Sequence, residues 1–234
     1  MTNIIIFGVG GSGSNLAYML SKSPKVDRMT LVDFDIIEHK NLERQFFIKE
    51  DIGKNKAEAM AGYLKQFAPS KEVFWFNRKI ETEEQLEDFN KNDFVFLCTD
   101  NVESKKMISK YFHNQLVVGC DNNLVEFRNK YEGESVWSIG EGYNSTQNFQ
   151  SNLFSAVFAY SLFESGEYNY VTRTKITLSK LIQEVRENKF DRTRVVEPAP
   201  ERTVRSRSSI GSNSSEPIEF VIEGDSETIN VEVD

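Results

Sequence analysis

Ile4-Ile5-Ile6-Phe7-Gly8-Val9-Gly10-Gly11-Ser12-Gly13-Ser14 is the stretch whose reading sets the fold. Its four apolar residues run without alternation, the pattern of a strand covered on both faces. The glycines that follow let the backbone turn tightly and approach other groups closely. From Ser14 to Ser23, Leu16, Met19 and Leu20 fall on one helical face, and Pro24 marks the end. A strand, a glycine turn and a helix in this order form the opening unit of an α/β sheet.

Working outward, the alternation continues. Met29 to Val32 reads as a second strand, and Ala57, Met60, Ala61, Leu64 and Phe67 form a helical stripe. A strand around Val73 to Phe76 follows, with Phe74-Trp75-Phe76 read as buried. Thr82 with Gln85 has the form of a capping box opening a short helix that carries Leu86 and Phe89. Phe94 to Cys98 and Leu116 to Cys120 read as strands, separated by a helix with Met107, Ile108, Tyr111 and Phe112. Residues 122–131 and 134–139 look like two strands across a Glu132-Gly133 turn. A long apolar helix is expected from about Gln150 to Ser165, and Leu178, Leu181, Ile182 and Val185 give a last amphipathic helix. The expected fold is α/β: a Rossmann-like, mostly parallel sheet with helices on both faces.

After Asn188 the character changes. Residues 189–215, rich in Arg, Ser and Pro, show no periodicity and read as a flexible linker. Residues 216–234 alternate again through Ile218, Phe220, Ile222 and then Ile229, Val231, Val233, as in an acidic β-hairpin tail that could add to a sheet edge. This tail holds seven acidic side chains and no Lys or Arg, so all but one unit of the net charge of -8 resides there. The remaining 215 residues are therefore nearly neutral as a whole, with no nucleic-acid footprint, and residues 1–188 are expected to form one domain. No apolar run approaches the ~20 residues that cross a bilayer, and no signal peptide is expected. Cys98 and Cys120 are too few for a disulfide framework or a structural zinc site. A cytoplasmic location is the default.

A glycine loop between strand and helix turns backbone N–H groups and a helix N-terminus toward a nucleotide. Asp33, at the end of the second strand, can accept hydrogen bonds from ribose hydroxyls. Asn41 and Arg44 then place a cation near phosphates. Gly8-x-Gly10-x-x-Gly13 with Asp33 also fits an NAD-dependent oxidoreductase, but that reading gives Arg44 and Lys56 no role. Taken singly, each residue has an ordinary alternative. Arg44 can pair with Glu43 or Glu38, Lys56 can be a solvated lysine, and Asp100 can cap the next helix. A non-catalytic nucleotide-binding scaffold is a further alternative.

The set Gly8-x-Gly10-Gly11-x-Gly13-Ser14, Asp33-x-Asp35, Asn41-Leu42-x-Arg44-Gln45, Gly53-x-x-Lys56-Ala57 and Cys98-Thr99-Asp100-Asn101 resembles the ThiF/MoeB family, which includes the adenylation domains of ubiquitin-activating enzymes. The resemblance implies MgATP-dependent adenylation of the C-terminal carboxylate of a small ubiquitin-like protein or peptide with a Gly-type C-terminus. It makes Gly8, Gly10, Gly11, Gly13, Asp33, Asn41, Arg44, Lys56, Asp100 and Asn101 the ATP-site residues. Arg44, Lys56 and Asp100 become the catalytic ones, with Asp100 holding Mg²⁺. A homodimer is expected, with no nucleic acid and no membrane as partner. Three departures from many relatives are expected: no arginine-bearing arm before Ile4, no paired Cys-x-x-Cys zinc motifs, and no domain with a thioester-forming cysteine. Cys98 and Cys120 lie in apolar strands and read as inert.

The chemistry agrees with that implication. A carboxylate is already ionised at neutral pH, so no general base is required. The obstacle is repulsion between an anion and a polyanion, which cations and positioning overcome.

Overall fold

The computed structural model describes residues 2–121, 124–131, 149–171 and 174–186. The chain divides into two units, Met1–Phe190 and Asp191–Asp234. The second unit, the whole of the expected linker and the tail hairpin lie outside the described residues.

In chain order the elements are β1 (Thr2–Phe7), α1 (Gly11–Ser21), β2 (Val26–Val32), α2 (Lys56–Phe67), β3 (Glu72–Phe76), β4 (Phe94–Leu97), α3 (Val102–Tyr111), β5 (Asn114–Asp121), β6 (Leu124–Arg128), α4 (Phe149–Ser165), β7 (Thr174–Thr177) and α5 (Leu178–Arg186). The sheet order is β3-β2-β1-β4-β5-β6-β7. The first five strands are parallel, β6 pairs antiparallel with β5, and β7 pairs antiparallel with β6. The order therefore reverses between β1 and β4, which opens a crevice at the carboxyl ends of these strands.

The unbroken apolar run of β1 serves two faces. Ile4 and Ile6 pack with Leu16 of α1, Met60 of α2 and Ala156 of α4, whereas Ile5 and Phe7 face Ile108 of α3 and the 3-10 turn carrying Leu86. Each such side chain, removed from water, contributes roughly 1.5–3 kcal/mol. Small residues let α4 lie close to α1: Ser151, Asn152, Ser155, Ala156 and Ala159 are all fully buried.

Several element boundaries differ from the sequence reading. α1 begins at Gly11, not Ser14, because the glycine segment itself forms the first helical turn. α2 begins at Lys56, since the Asn55 side chain caps it by accepting the Glu58 N–H at 3.1 Å. Phe74 and Trp75 are not buried: they are 48% and 39% exposed, because β3 is the edge strand of the sheet. The strand within 122–131 is β6, paired with β5 and with β7, which the sequence reading did not foresee. Residues 134–139 lie outside the described residues.

Candidate active site

At the carboxyl edge of the sheet lies a cleft of about 880 Å³, a volume within the usual range for small-molecule sites. It collects Gly8, Gly10, Gly11, Asp33, Asn41, Arg44, Lys56, Asp100 and Asn101, so nine of the ten residues assigned from sequence share one cavity. Gly13 does not line it.

The β1–α1 turn explains that difference. Gly8 has φ +89, and a Cβ there would lie 2.5 Å from the Thr99 amide nitrogen. A Cβ on Gly13 would overlap the Gly8 carbonyl oxygen. Both glycines therefore close the turn, while Gly10 is open, with Gln45 Nε2 at 3.8 Å as the nearest atom to an added Cβ. α1 has Gly10 as its N-cap, with no side-chain cap and no acid in its first turn. Its N–H groups and the positive end of its dipole are left for an anion.

Asp33 follows β2 and is 8% exposed. Its Oδ2 accepts the Val9 N–H at 2.6 Å and its Oδ1 accepts the Asp35 N–H at 2.8 Å. It thus ties the glycine turn to the end of β2, and each oxygen keeps a lone pair for a hydroxyl donor. Burial pushes its carboxyl above the ordinary carboxylate value, opposed by the Asp35 N–H bond and the Lys56 charge.

Lys56 is not a solvated lysine. It is 6% exposed, and its Nζ lies 2.7 Å from Asp35 Oδ2. Asn55, which the sequence reading passed over, donates to the Asp33 and Asp35 carbonyls at 2.9 and 3.1 Å and so fixes this corner. Its signal was present in the sequence, since Asn directly before a helical stripe is a common N-cap.

Asn41 is buried, and its side-chain oxygen accepts the Glu38 N–H at 2.9 Å. The segment after it is held to α1 by the Phe46 N–H, which donates to Ser14 Oγ at 3.0 Å. Arg44 projects from this segment. Neither Glu43 nor Glu38 pairs with it; Glu38 pairs with Lys40 at 2.6 Å. Arg44 Nε is buried and has no hydrogen-bond partner among the described residues. A buried guanidinium nitrogen without a partner leaves a donor that the described residues do not satisfy.

Asp100 follows β4 and is exposed to the cleft. It does not cap α3; Asn101 does, accepting the Ser104 N–H at 2.8 Å. Asp100 is thereby free for a ligand. Among the described residues no group of three or more His, Cys, Asp or Glu could hold a metal ion. Mg²⁺ nevertheless fits here, because it binds through one or two carboxylates and completes its shell with phosphate oxygens and water.

Two residues at the β4–β5 end complete the lining. Lys105, on α3, is 4% exposed and was missed in the sequence. Cys120 is buried in a polar cluster with Ser12 Oγ at 3.3 Å and Asn152 Oδ1 at 2.8 Å. Burial pushes the Cys98 thiol up to about 12 and raises that of Cys120. A raised value disfavours the thiolate form in both.

The ThiF family model matches residues 1–158. This chain belongs to the ThiF family. Ubiquitin-like modifier-activating enzyme 5 of Culex quinquefasciatus is 33% identical over 119 residues, covering 46% of this chain and 30% of that protein. The NEDD8-activating enzyme E1 catalytic subunit of Caenorhabditis elegans is 32% identical over 152 residues, covering 64% and 33%. The chain thus spans about a third of the length of these curated relatives. Among solved structures, E. coli MccB with ATP superposes with a TM-score of 0.63 at 20% identity, covering 75% of this chain and 60% of that one. PaaA gives 0.62 at 19% identity, covering 76% and 61%. At such identities the structural likeness establishes the fold alone. Among the described residues no helix is long and apolar enough to cross a membrane.

Proposed function

We propose that this ThiF-family chain is a MgATP-dependent adenylyltransferase. It activates the C-terminal carboxylate of a ubiquitin-like β-grasp protein, or of a peptide with a Gly-type end, as an acyl adenylate. The observation that carries this reading is the grouping of Arg44, Lys56 and Asp100 about the uncapped N-terminus of α1. Relatives whose names are adenylyltransferase or ubiquitin-like modifier-activating enzyme support it.

In this reading Asp33 holds the ribose, and Val32, Phe34 and Ile80 of the cleft supply apolar contact for the base. The α1 N-terminus, Arg44 and Lys56 take the phosphates. Arg44 offers a planar fork and Lys56 a point charge held by Asp35. Mg²⁺, held by Asp100 together with phosphate oxygens, supplies charge neutralisation when bound. The acceptor carboxylate oxygen attacks the α-phosphorus. The new P–O bond forms as the bond to the β-phosphate bridging oxygen breaks, and pyrophosphate leaves with that electron pair. No proton needs to move.

Free Cys98 and Cys120 fit a reducing cytoplasm. Exposed Ile36, Ile48 and Ile52 on the connection between β2 and α2 fit a homodimer, which sedimentation equilibrium tests. The function itself is tested by ATP–pyrophosphate exchange driven by a Gly-terminated acceptor. Exchange should occur and should fall about 10²–10³-fold in Asp100→Ala. Undiminished exchange in that variant would refute the role of Asp100.

A further inference from the structure

Six cationic side chains line the cleft: Lys40, Arg44, Lys56, Arg78, Lys79 and Lys105. Four of them are neutralised by the protein. Lys40 pairs with Glu38, Lys56 with Asp35, Arg78 with Asp88 and Lys79 with Glu81. Among the described residues Arg44 and Lys105 are in no ion pair. The proposed reaction brings together two anionic groups, a triphosphate and a carboxylate. Arg44 has been matched to the first. Lys105 has no role in the scheme above.

The placement of Lys105 is not that of a surface lysine. α3 carries three lysines after its cap. Lys106 and Lys110 reach acids at 3.5 and 3.6 Å and stay exposed by 43% and 81% at the side chain. Lys105 turns inward, is 4% exposed and makes no side-chain hydrogen bond among the described residues. The acid beside it on β6, Glu126, is already held by Arg128 at 2.8 Å. Burying an ammonium without a close counterion costs stability, and a bound anion would offset that cost. Burial also holds the Lys105 ammonium below the ordinary lysine range, opposed by Cys98, Asp100, Glu126 and Cys120.

Position says which anion. Arg44, from the connection between β2 and α2, and Lys56, at the start of α2, reach the cleft on one side of β1. Lys105 reaches it from α3, on the other side, beside Cys98, Gly119 and Cys120 at the ends of β4 and β5. With Asp33 fixing the ribose near β2 and the glycine turn fixing the phosphates, this end is left for the second reactant. We propose that Lys105 receives the acceptor's C-terminal carboxylate, donating to the oxygen that does not attack and that becomes the acyl carbonyl oxygen. Lys105 is then a substrate-binding residue that also holds the acyl group of the product.

This inference rests on the adenylation reading, and the test separates the two. The full chain is titrated calorimetrically with AMP and with N-acetylglycyl sulfamoyl adenosine, a stable mimic of a glycyl adenylate. The unaltered chain should bind the acyl compound more tightly than AMP. Lys105→Met should weaken the acyl compound roughly ten- to hundred-fold while leaving AMP within about two-fold, and Lys105→Arg should restore most of the loss. If the Met variant fails to fold, Lys105→Gln replaces it. Equal weakening of both compounds, or of neither, would overturn the role of Lys105, as would an unaltered chain that gains nothing from the acyl group. An unaltered chain that binds neither compound would instead remove the nucleotide reading, and this inference with it.

Discussion

Gly10 and Gly13 stand three positions apart in one motif yet serve different ends. Gly13 lets α1 press against the Gly8 carbonyl, whereas Gly10 faces the cleft with open space beside it. Gly13→Ala should therefore cost about 1–3 kcal/mol or more through overpacking, and Gly10→Ala should cost less stability while weakening nucleotide binding. Denaturant midpoints paired with ATP titrations check this; equal destabilisation by the two changes would contradict it. The same scale shows where the sequence was informative. Arg44, Lys56 and Asp100 stand in a recognisable order, and all three line the cleft. Lys105 sits in Ser104-Lys105-Lys106, where nothing local says which lysine turns inward. Only the packing of α3 on the sheet decides that, which is why the sequence reading passed over it.

At the scale of elements, the corner that leads into α2 is locked by charge and hydrogen bonding. The Asp51 carboxylate accepts from Tyr63 Oη at 2.6 Å and from Lys54 Nζ at 2.9 Å. Burial pushes Asp51 up, but these bonds and the Ile48 N–H more than offset it and leave it lowered. Burial and the bond to Asp51 push the Tyr63 phenol up to about 12 from its ordinary 10.0. The folded value is raised, so stability from this bond is fully present below pH 10 and is lost as pH rises through about 12. Phenolate absorbance in an alkaline titration should contain a late-ionising component that Tyr63→Phe removes, beside that of Tyr160, which burial and Glu164 also raise. A variant with an unchanged titration curve would contradict the assignment. The strand and helix alternation that frames this corner was legible because each element carries its own periodicity. Strand order was not. Whether Phe74 and Trp75 are covered depends on β3 lying at the edge, and β7 has only four residues to announce it.

At the scale of the whole molecule, the cleft exists only because the sheet order reverses between β1 and β4. That reversal brings the ends of β1 and β2, the Asn41–Arg44 segment, the start of α2 and the start of α3 to one place, although they span about a hundred residues of sequence. The family match over residues 1–158 covers every one of them. The central claim is that this cleft is arranged for a triphosphate and holds a cation in reserve for it. Calorimetric titration of the full chain with MgATP, AMP and NADH tests that most directly, repeated in Arg44→Ala. The account predicts MgATP binding that weakens at least about ten-fold in the variant while AMP affinity is kept, and no tight NADH binding. Tight NADH binding without ATP, or MgATP affinity indifferent to the loss of Arg44, would contradict it.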